Sequence, residues 1–248
     1  MKIFSLPLKK EMELPSGRTA ILNLRKIDPF YSELFKGLRA KIEYKIDMVE
    51  LRVLAVTSAV AGEGKTLTAI NLAASMASTG RKKVLLMDLD LRKSGIAVEL
   101  GIAPYPGLGE FLLGSVPMEK IVRNSSVPEL YVVPGGRPIP SPADMLAGEK
   151  FRSFLRELRG QFDLVVLDTP PILPVPDALT ISEQVDAFIL LFRLSHTPHQ
   201  LFRQAVDELG ERKIMGVVLN GEEKKSDKYY SRYYGKYYHS VDGEEKRS

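Results

Sequence analysis

Apolar residues in this chain gather in two patterns. The first is a series of short, nearly unbroken runs: Val53–Thr57, Val84–Met87, Leu130–Val133, Leu164–Leu167, Ala187–Phe192 and Ile214–Leu219. A strand with one wet face alternates apolar and polar positions, so runs without alternation predict strands covered on both faces, as in a parallel sheet. The second pattern repeats at intervals of three and four. Tyr31, Leu34, Phe35, Leu38 and Ile42 make one such stripe, Leu67, Ile70, Ala74 and Ala77 another, and Phe151, Phe154, Leu155 and Leu158 a third. Each predicts a helix with one apolar side. Asp28-Pro29 and Ser141-Pro142, the latter with Asp144 following, read as helix starts, and Gly210 as the close of a helix over 198–210. Strands alternating with helices predict an α/β fold, with a mostly parallel central sheet flanked by helices.

The ends depart from this rhythm. Residues 1–27 have no sustained period and read as a surface extension, while 28–221 carry the alternating elements and read as one domain; residues 101–128, broken by Gly and Pro, read as loops and short helices. From 222 the chain turns polar and charged. Tyr229, Tyr230, Tyr233, Tyr234, Tyr237 and Tyr238 then follow with Ser231, Arg232, Gly235 and Lys236 between them. No aliphatic residue lies among these tyrosines, so burial would not offset the entropy of ordering them, and 222–248 is expected to be a disordered tail. Two uses suit such a tail: an aromatic peptide that stacks on a partner or nucleic acid, or a cluster of phosphate acceptors.

Composition narrows the classes. The 248 residues suffice for one substantial core, and 44% hydrophobic with 27% charged residues is globular. A net charge of +4 supports neither nucleic-acid nor membrane binding by itself. The lack of cysteine removes disulfides, thiol nucleophiles and thiolate metal sites, and fits a cytoplasmic chain. No apolar run approaches the ~20 residues of a spanning helix, so membrane association is expected only through a partner.

The chemistry concentrates in Ala59-Val-Ala-Gly-Glu-Gly-Lys-Thr66, between a predicted strand and a predicted helix. This is the setting of a phosphate-binding loop. Gly62 and Gly64 let the backbone aim amide hydrogens at phosphate oxygens, Lys65 reaches the β/γ-phosphates, and the Thr66 hydroxyl can hold Mg2+. Ala59 stands where the strict pattern has its first glycine. Beyond Met87, Asp88 and Asp90 lie two apart and share one side of an extended chain; a solvated strand end and a Mg2+ or catalytic pair are equally good readings until the neighbouring phosphate loop favours the second. Asp168, after four apolar residues and before Thr169-Pro-Pro171, matches the second Mg2+ strand of a phosphate-loop ATPase. Asn220, closing the last run, suits an adenine edge and a strand cap about equally. From there the tyrosines are nine to eighteen residues on, a flexible reach of roughly 16–25 Å. His196 and His199 lack partners at ligand spacing and read as surface or capping residues. Glu33, Lys36 and Arg39 form a charged stripe whose spacing favours a solvated face over a subunit contact.

Together these pieces resemble the bacterial tyrosine kinases of capsular and exopolysaccharide synthesis over about residues 28–240. Ser58–Thr66, with Glu63 between the glycines, looks like the family's first motif and makes Gly62, Glu63, Gly64, Lys65, Thr66 and Leu67 the expected nucleotide contacts, joined by Asn220. Leu85-Leu-Met-Asp-Leu-Asp-Leu-Arg92 is similar to the motif peculiar to this group, and Leu164–Pro171 to the second Mg2+ strand. The resemblance implies a P-loop NTPase fold and an ATP- and Mg2+-dependent protein-tyrosine autokinase. In it Lys65, Asp88 and Asp90 are catalytic, with Asp88 taking or orienting the tyrosine proton. Thr66, Asp90 and Asp168 hold the metal, and the six tail tyrosines accept phosphate. It further implies a homo-oligomeric ring, a membrane polysaccharide chain-length regulator as activator, a cognate tyrosine phosphatase, no nucleic acid, and a place at the inner face of the plasma membrane. Glu33, Lys36 and Arg39 fall on the family's E-x-x-R-x-x-R subunit contact, with Lys36 where Arg is usual, which loses a planar bidentate donor set. The rival resemblance is to positioning ATPases of the Min and Par type, whose signature lysine position is Val60 here; on that reading the chain is an ATP-dependent switch whose tail docks partners.

Overall fold

The computed structural model describes residues 3–7 and 29–222. The six tail tyrosines lie outside the described residues. The strands are β1 (Ile3–Pro7), β2 (Val53–Ser58), β3 (Val84–Asp88), β4 (Arg123–Asn124), β5 (Leu130–Val133), β6 (Leu164–Asp168), β7 (Ala187–Arg193) and β8 (Ile214–Glu222). The helices are α1 (Pro29–Val49), α2 (Lys65–Ala77), α3 (Ile96–Leu100), α4 (Leu108–Leu112), α5 (Pro142–Ala147), α6 (Glu149–Gln161), α7 (Asp177–Thr180) and α8 (His199–Leu209).

The strands form one sheet in the order β1-β8-β7-β2-β6-β3-β5-β4, parallel throughout except for the short β4 against β5. The unbroken apolar runs have the expected cause. Leu54 and Val56 of β2, Val84 and Leu86 of β3, Leu164 and Val166 of β6, and Ile189 and Leu191 of β7 pack on one face. Their alternates, Val53, Ala55, Leu85, Met87, Val165, Leu167, Phe188 and Leu190, pack on the other. The first face is roofed by α1 through Phe35, Leu38, Ile42 and Ile46, and by the buried side of α2. The second is roofed by Phe151, Phe154, Leu155 and Leu158 of α6, all four buried as their spacing predicted. Among the described residues no helix is long and apolar enough to cross a membrane.

Three local readings change. Residues 1–27 are not wholly an extension: Ile3–Pro7 adds an edge strand, parallel to β8 from Ile3 opposite Val217 to Leu6 opposite Asn220. Five residues closed by proline are too short to show a period, and an edge tolerates the missing N–H. Leu67 is 38% exposed, although Ile70, Ala74 and Ala77 of its stripe are buried, because it sits in the first turn beside the phosphate loop. The charged stripe of α1 divides. Lys36 pairs with Glu33 on the surface at 2.6 Å, whereas Arg39 turns inward and donates to the Ser75 carbonyl of α2 at 2.9 Å.

Candidate active site

β2 ends at Ser58 and α2 begins at Lys65, so residues 59–64 form the loop at the carboxyl edge of the sheet. The left-handed backbone falls on Gly62 (φ 80°) and Gly64 (φ 92°) and not on Ala59, which is buried with an ordinary φ. An alanine there is therefore free of backbone strain. Gly64 is further required by space, since a β-carbon would lie 2.4 Å from Asn220 Nδ2. Lys65 opens α2, and the first helical bond after it runs from Thr68 N to Gly64 O. The N–H groups of the first turn are thus available to an anion, with the helix dipole behind them. Glu63 is placed differently from a nucleotide contact through its side chain. Its carboxylate is fully buried and accepts from Val60 N at 2.8 Å, Arg193 N at 3.3 Å and the Thr197 hydroxyl. Asn220 donates to Glu63 O at 2.8 Å and accepts from Gly221 N at 2.9 Å, a brace on the loop that neither of the two alternatives considered for it included.

The carboxylates meet because β3 and β6 are neighbours with Asp88 opposite Asp168. Asp88 is buried and anchors the segment that follows it. Its Oδ2 accepts from Ser94 Oγ (2.6 Å), Gly95 N (2.9 Å) and Ile96 N (3.0 Å), and its Oδ1 accepts from Asp90 N (3.1 Å). Burial pushes Asp88 up to about 6, against the pull of those hydrogen bonds. Asp90 is half-buried and also raised, mainly by burial, with Lys65 opposing. Asp168 stands well above the ordinary carboxylate range, first from burial and then from the charge of Asp88. Neither of its oxygens has a hydrogen bond of normal geometry, although the Thr66 hydroxyl is near enough to favour the ionised form.

A buried carboxylate without donors, next to a threonine hydroxyl and a lysine, fits a hard cation. Mg2+ is characteristically held by one or two carboxylates together with substrate phosphates.

Several contacts at this edge escaped sequence reasoning. Arg193 donates to Gly62 O at 2.7 Å, and His196, read as a surface or capping residue, lies with Nε2 3.0 Å from Ala61 O. Arg92 forms a bidentate pair with the fully buried Asp177 at 2.9 and 3.1 Å. Arg193 closes an apolar run, as Asp88, Asp168 and Asn220 do, and that position was its one legible signal.

Comparison with known proteins agrees with this geometry. A family model described as an AAA domain matches residues 51–195. The tyrosine-protein kinase YwqD of Bacillus subtilis is 34% identical over 77% of this chain and 81% of its own length. The chain belongs to the bacterial tyrosine-protein kinases. Another relative, the tyrosine-protein kinase CpsD of Streptococcus pneumoniae serotype 4, is 34% identical over 83% of this chain and 89% of its own. Among solved structures, the kinase domain of the Escherichia coli tyrosine kinase ETK superposes with a TM-score of 0.79 at 26% identity, covering 89% of this chain and 90% of that one. The septum site-determining protein MinD of Pyrococcus horikoshii, complexed with Mg-ADP, gives a TM-score of 0.57 at 21% identity over 68% of this chain and 70% of its own, and shares the fold alone. The chain is thus a protein-tyrosine kinase on a P-loop NTPase fold, and the tyrosine-kinase reading prevails over the Min-like switch.

Proposed function

We propose that this kinase transfers the γ-phosphoryl group of ATP to tyrosine hydroxyls, first those of its own tail, and thereby regulates the synthesis or export of capsular or extracellular polysaccharide. The observation that carries the reading is a convergence at one sheet edge. The phosphate loop, Asp88, Asp90 and Asp168 all lie there, and β8 leaves toward the tail from that edge, its Asn220 bonded to the loop.

Phosphoryl transfer asks the protein for position and charge more than for covalent chemistry. The loop amides of residues 62–66 and the Lys65 ammonium receive the phosphates. Thr66, Asp90 and Asp168 would hold Mg2+, which would supply neutralisation of phosphate charge. Asp88 takes the tyrosine proton through Oδ1, its less occupied oxygen. A carboxylate raised to about 6 is a better acceptor than an ordinary one, because its affinity for a proton lies closer to working pH. The same reading assigns the six tail tyrosines as acceptors and Glu33 and Lys36, with Arg39, as part of a ring contact. It also brings in a separate membrane chain-length regulator as activator, a cognate phosphatase, and a cytoplasmic position at the membrane's inner face.

The test is incubation with Mg2+ and ATP followed by mass spectrometry of the tail, with Lys65→Met as control. Phosphotyrosine among Tyr229–Tyr238 in the wild type, and none in the control, is expected. ATP hydrolysis with an unmodified tail, in the presence of the partner's activating segment, would favour the docking-switch alternative.

A further inference from the structure

The carbonyls of three consecutive residues in the phosphate loop are each bound by a side chain from the neighbouring strand ends. Ala61 O meets His196 Nε2 at 3.0 Å, Gly62 O accepts from Arg193 Nη1 at 2.7 Å, and Glu63 O accepts from Asn220 Nδ2 at 2.8 Å. The same bend is held through the Glu63 carboxylate, which takes the Val60 and Arg193 amides and the Thr197 hydroxyl. Arg193 therefore grips the bend twice, by its amide and by its guanidinium. Its own position is fixed, since Arg193 is paired with Asn220 across β7 and β8, and Leu194 N donates to Asn220 O at 2.8 Å.

In a trans peptide the N–H points opposite to the preceding carbonyl. Tying the carbonyls of residues 61, 62 and 63 toward β7 and β8 aims the N–H groups of Gly62, Glu63 and Gly64 the other way, toward the first turn of α2. The positive φ at Gly62 and Gly64 lets these amides converge as an anion-binding nest.

We propose that Arg193 and His196 are positioning residues for nucleotide phosphate, forming with Asn220 a clamp that presets the amides of the phosphate loop. The proposal rests on the reading of this loop as the ATP site. The Arg193 guanidinium acts through the Gly62 carbonyl, and its share is expected to exceed that of His196, because a charged donor makes the stronger bond.

The experiment titrates the purified chain, in Mg2+, with fluorescent analogues of ATP, ADP and AMP. Arg193→Gln should weaken ATP and ADP by about tenfold, the usual order for losing one charge-assisted hydrogen bond, and affect AMP, which lacks the β- and γ-phosphates, much less. Arg193→Lys should recover most of the loss, and His196→Ala should show the same selectivity at smaller size. Unchanged affinities in Arg193→Gln would overturn the clamp. So would an equal loss for AMP that lysine does not rescue, since that marks a general folding defect. The nucleotide reading is tested separately by Lys65→Met. If the wild type binds no nucleotide, or Lys65→Met binds as the wild type does, it is the assignment of the loop that falls, and the clamp falls with it.

Discussion

Asp168 is the residue whose surroundings fit its charge least. It is buried, its oxygens have no donors of normal geometry, and Asp88 stands opposite it in the adjacent strand. Replacing it with asparagine removes a buried charge and the repulsion with Asp88. In the metal- and nucleotide-free protein, Asp168→Asn is expected to raise the unfolding midpoint by the equivalent of about 1 kcal/mol, since the charge is removed although an unpaired amide stays buried. Autophosphorylation should fall below detection in the same variant. Calorimetry paired with a phosphotyrosine assay checks both, and a lowered midpoint would contradict the assignment. Asp168 itself was legible from sequence, as were Lys65, Thr66, Asp88 and Asp90, because each sits in a short motif next to a run that had to be a strand. The clamp was not. Arg193 meets Gly62 across 131 positions and His196 meets Ala61 across 135, and no local pattern links them. His196 looked idle because the metal-ligand spacing sought around it was the wrong chemistry: its partner is a backbone carbonyl.

At the scale of elements, legibility followed length. β2, β3, β6 and β7 declared themselves because both faces of the sheet are covered, and α6 because its four buried residues share one side. β1, β4 and α7 are too short to carry a period, and they exist because longer neighbours hold them. The Arg92–Asp177 pair is such a hold, tying the segment after β3 to α7 over 85 positions. Asp177 is fully buried, while Arg92 is half exposed. Arg92→Met leaves the Asp177 carboxylate buried without its partner. It is expected to cost about 2 kcal/mol, below the usual cost of breaking a fully buried pair because Arg92 is partly solvated. The same change loosens the segment carrying Asp90, so turnover should fall more than nucleotide affinity. Denaturant unfolding and single-turnover kinetics measure the two effects, and a variant as stable and as fast as the wild type would show that α7 needs no such tie.

Over the whole molecule, the two edges of the sheet handle acid in opposite senses. At the edge remote from the phosphate loop, burial alone would raise Asp186, but the Arg159 guanidinium and the Val53 and Arg52 amides hold it below the usual carboxylate range. Its stabilisation is present above the unfolded-state value near ~4 and is lost only as pH falls further. At the phosphate-loop edge Asp88 is raised to about 6 and Asp168 higher than usual, so the folded state holds their protons longer than the unfolded chain does. That contribution is complete below ~4 and disappears as pH rises through the raised values. Between about pH 5 and pH 7 the phosphate-loop edge therefore dominates, and the nucleotide-free protein should become less stable as pH rises. On the proposed reading, Mg·ADP is expected to oppose this slope. Binding the cation requires the carboxylates ionised, so the rise in unfolding midpoint on adding Mg·ADP should be larger at about pH 7.5 than at about pH 5. The nucleotide's own phosphate titrates in this window, and Asp88→Asn separates the two: it should flatten the part of the slope that belongs to the protein. Thermal shifts at matched ligand concentration decide the matter. A shift equal at both pH values, or a slope unchanged in Asp88→Asn, would mean that the buried carboxylates are not linked to the ligand, and that metal and phosphate are held by the loop and Thr66 without them.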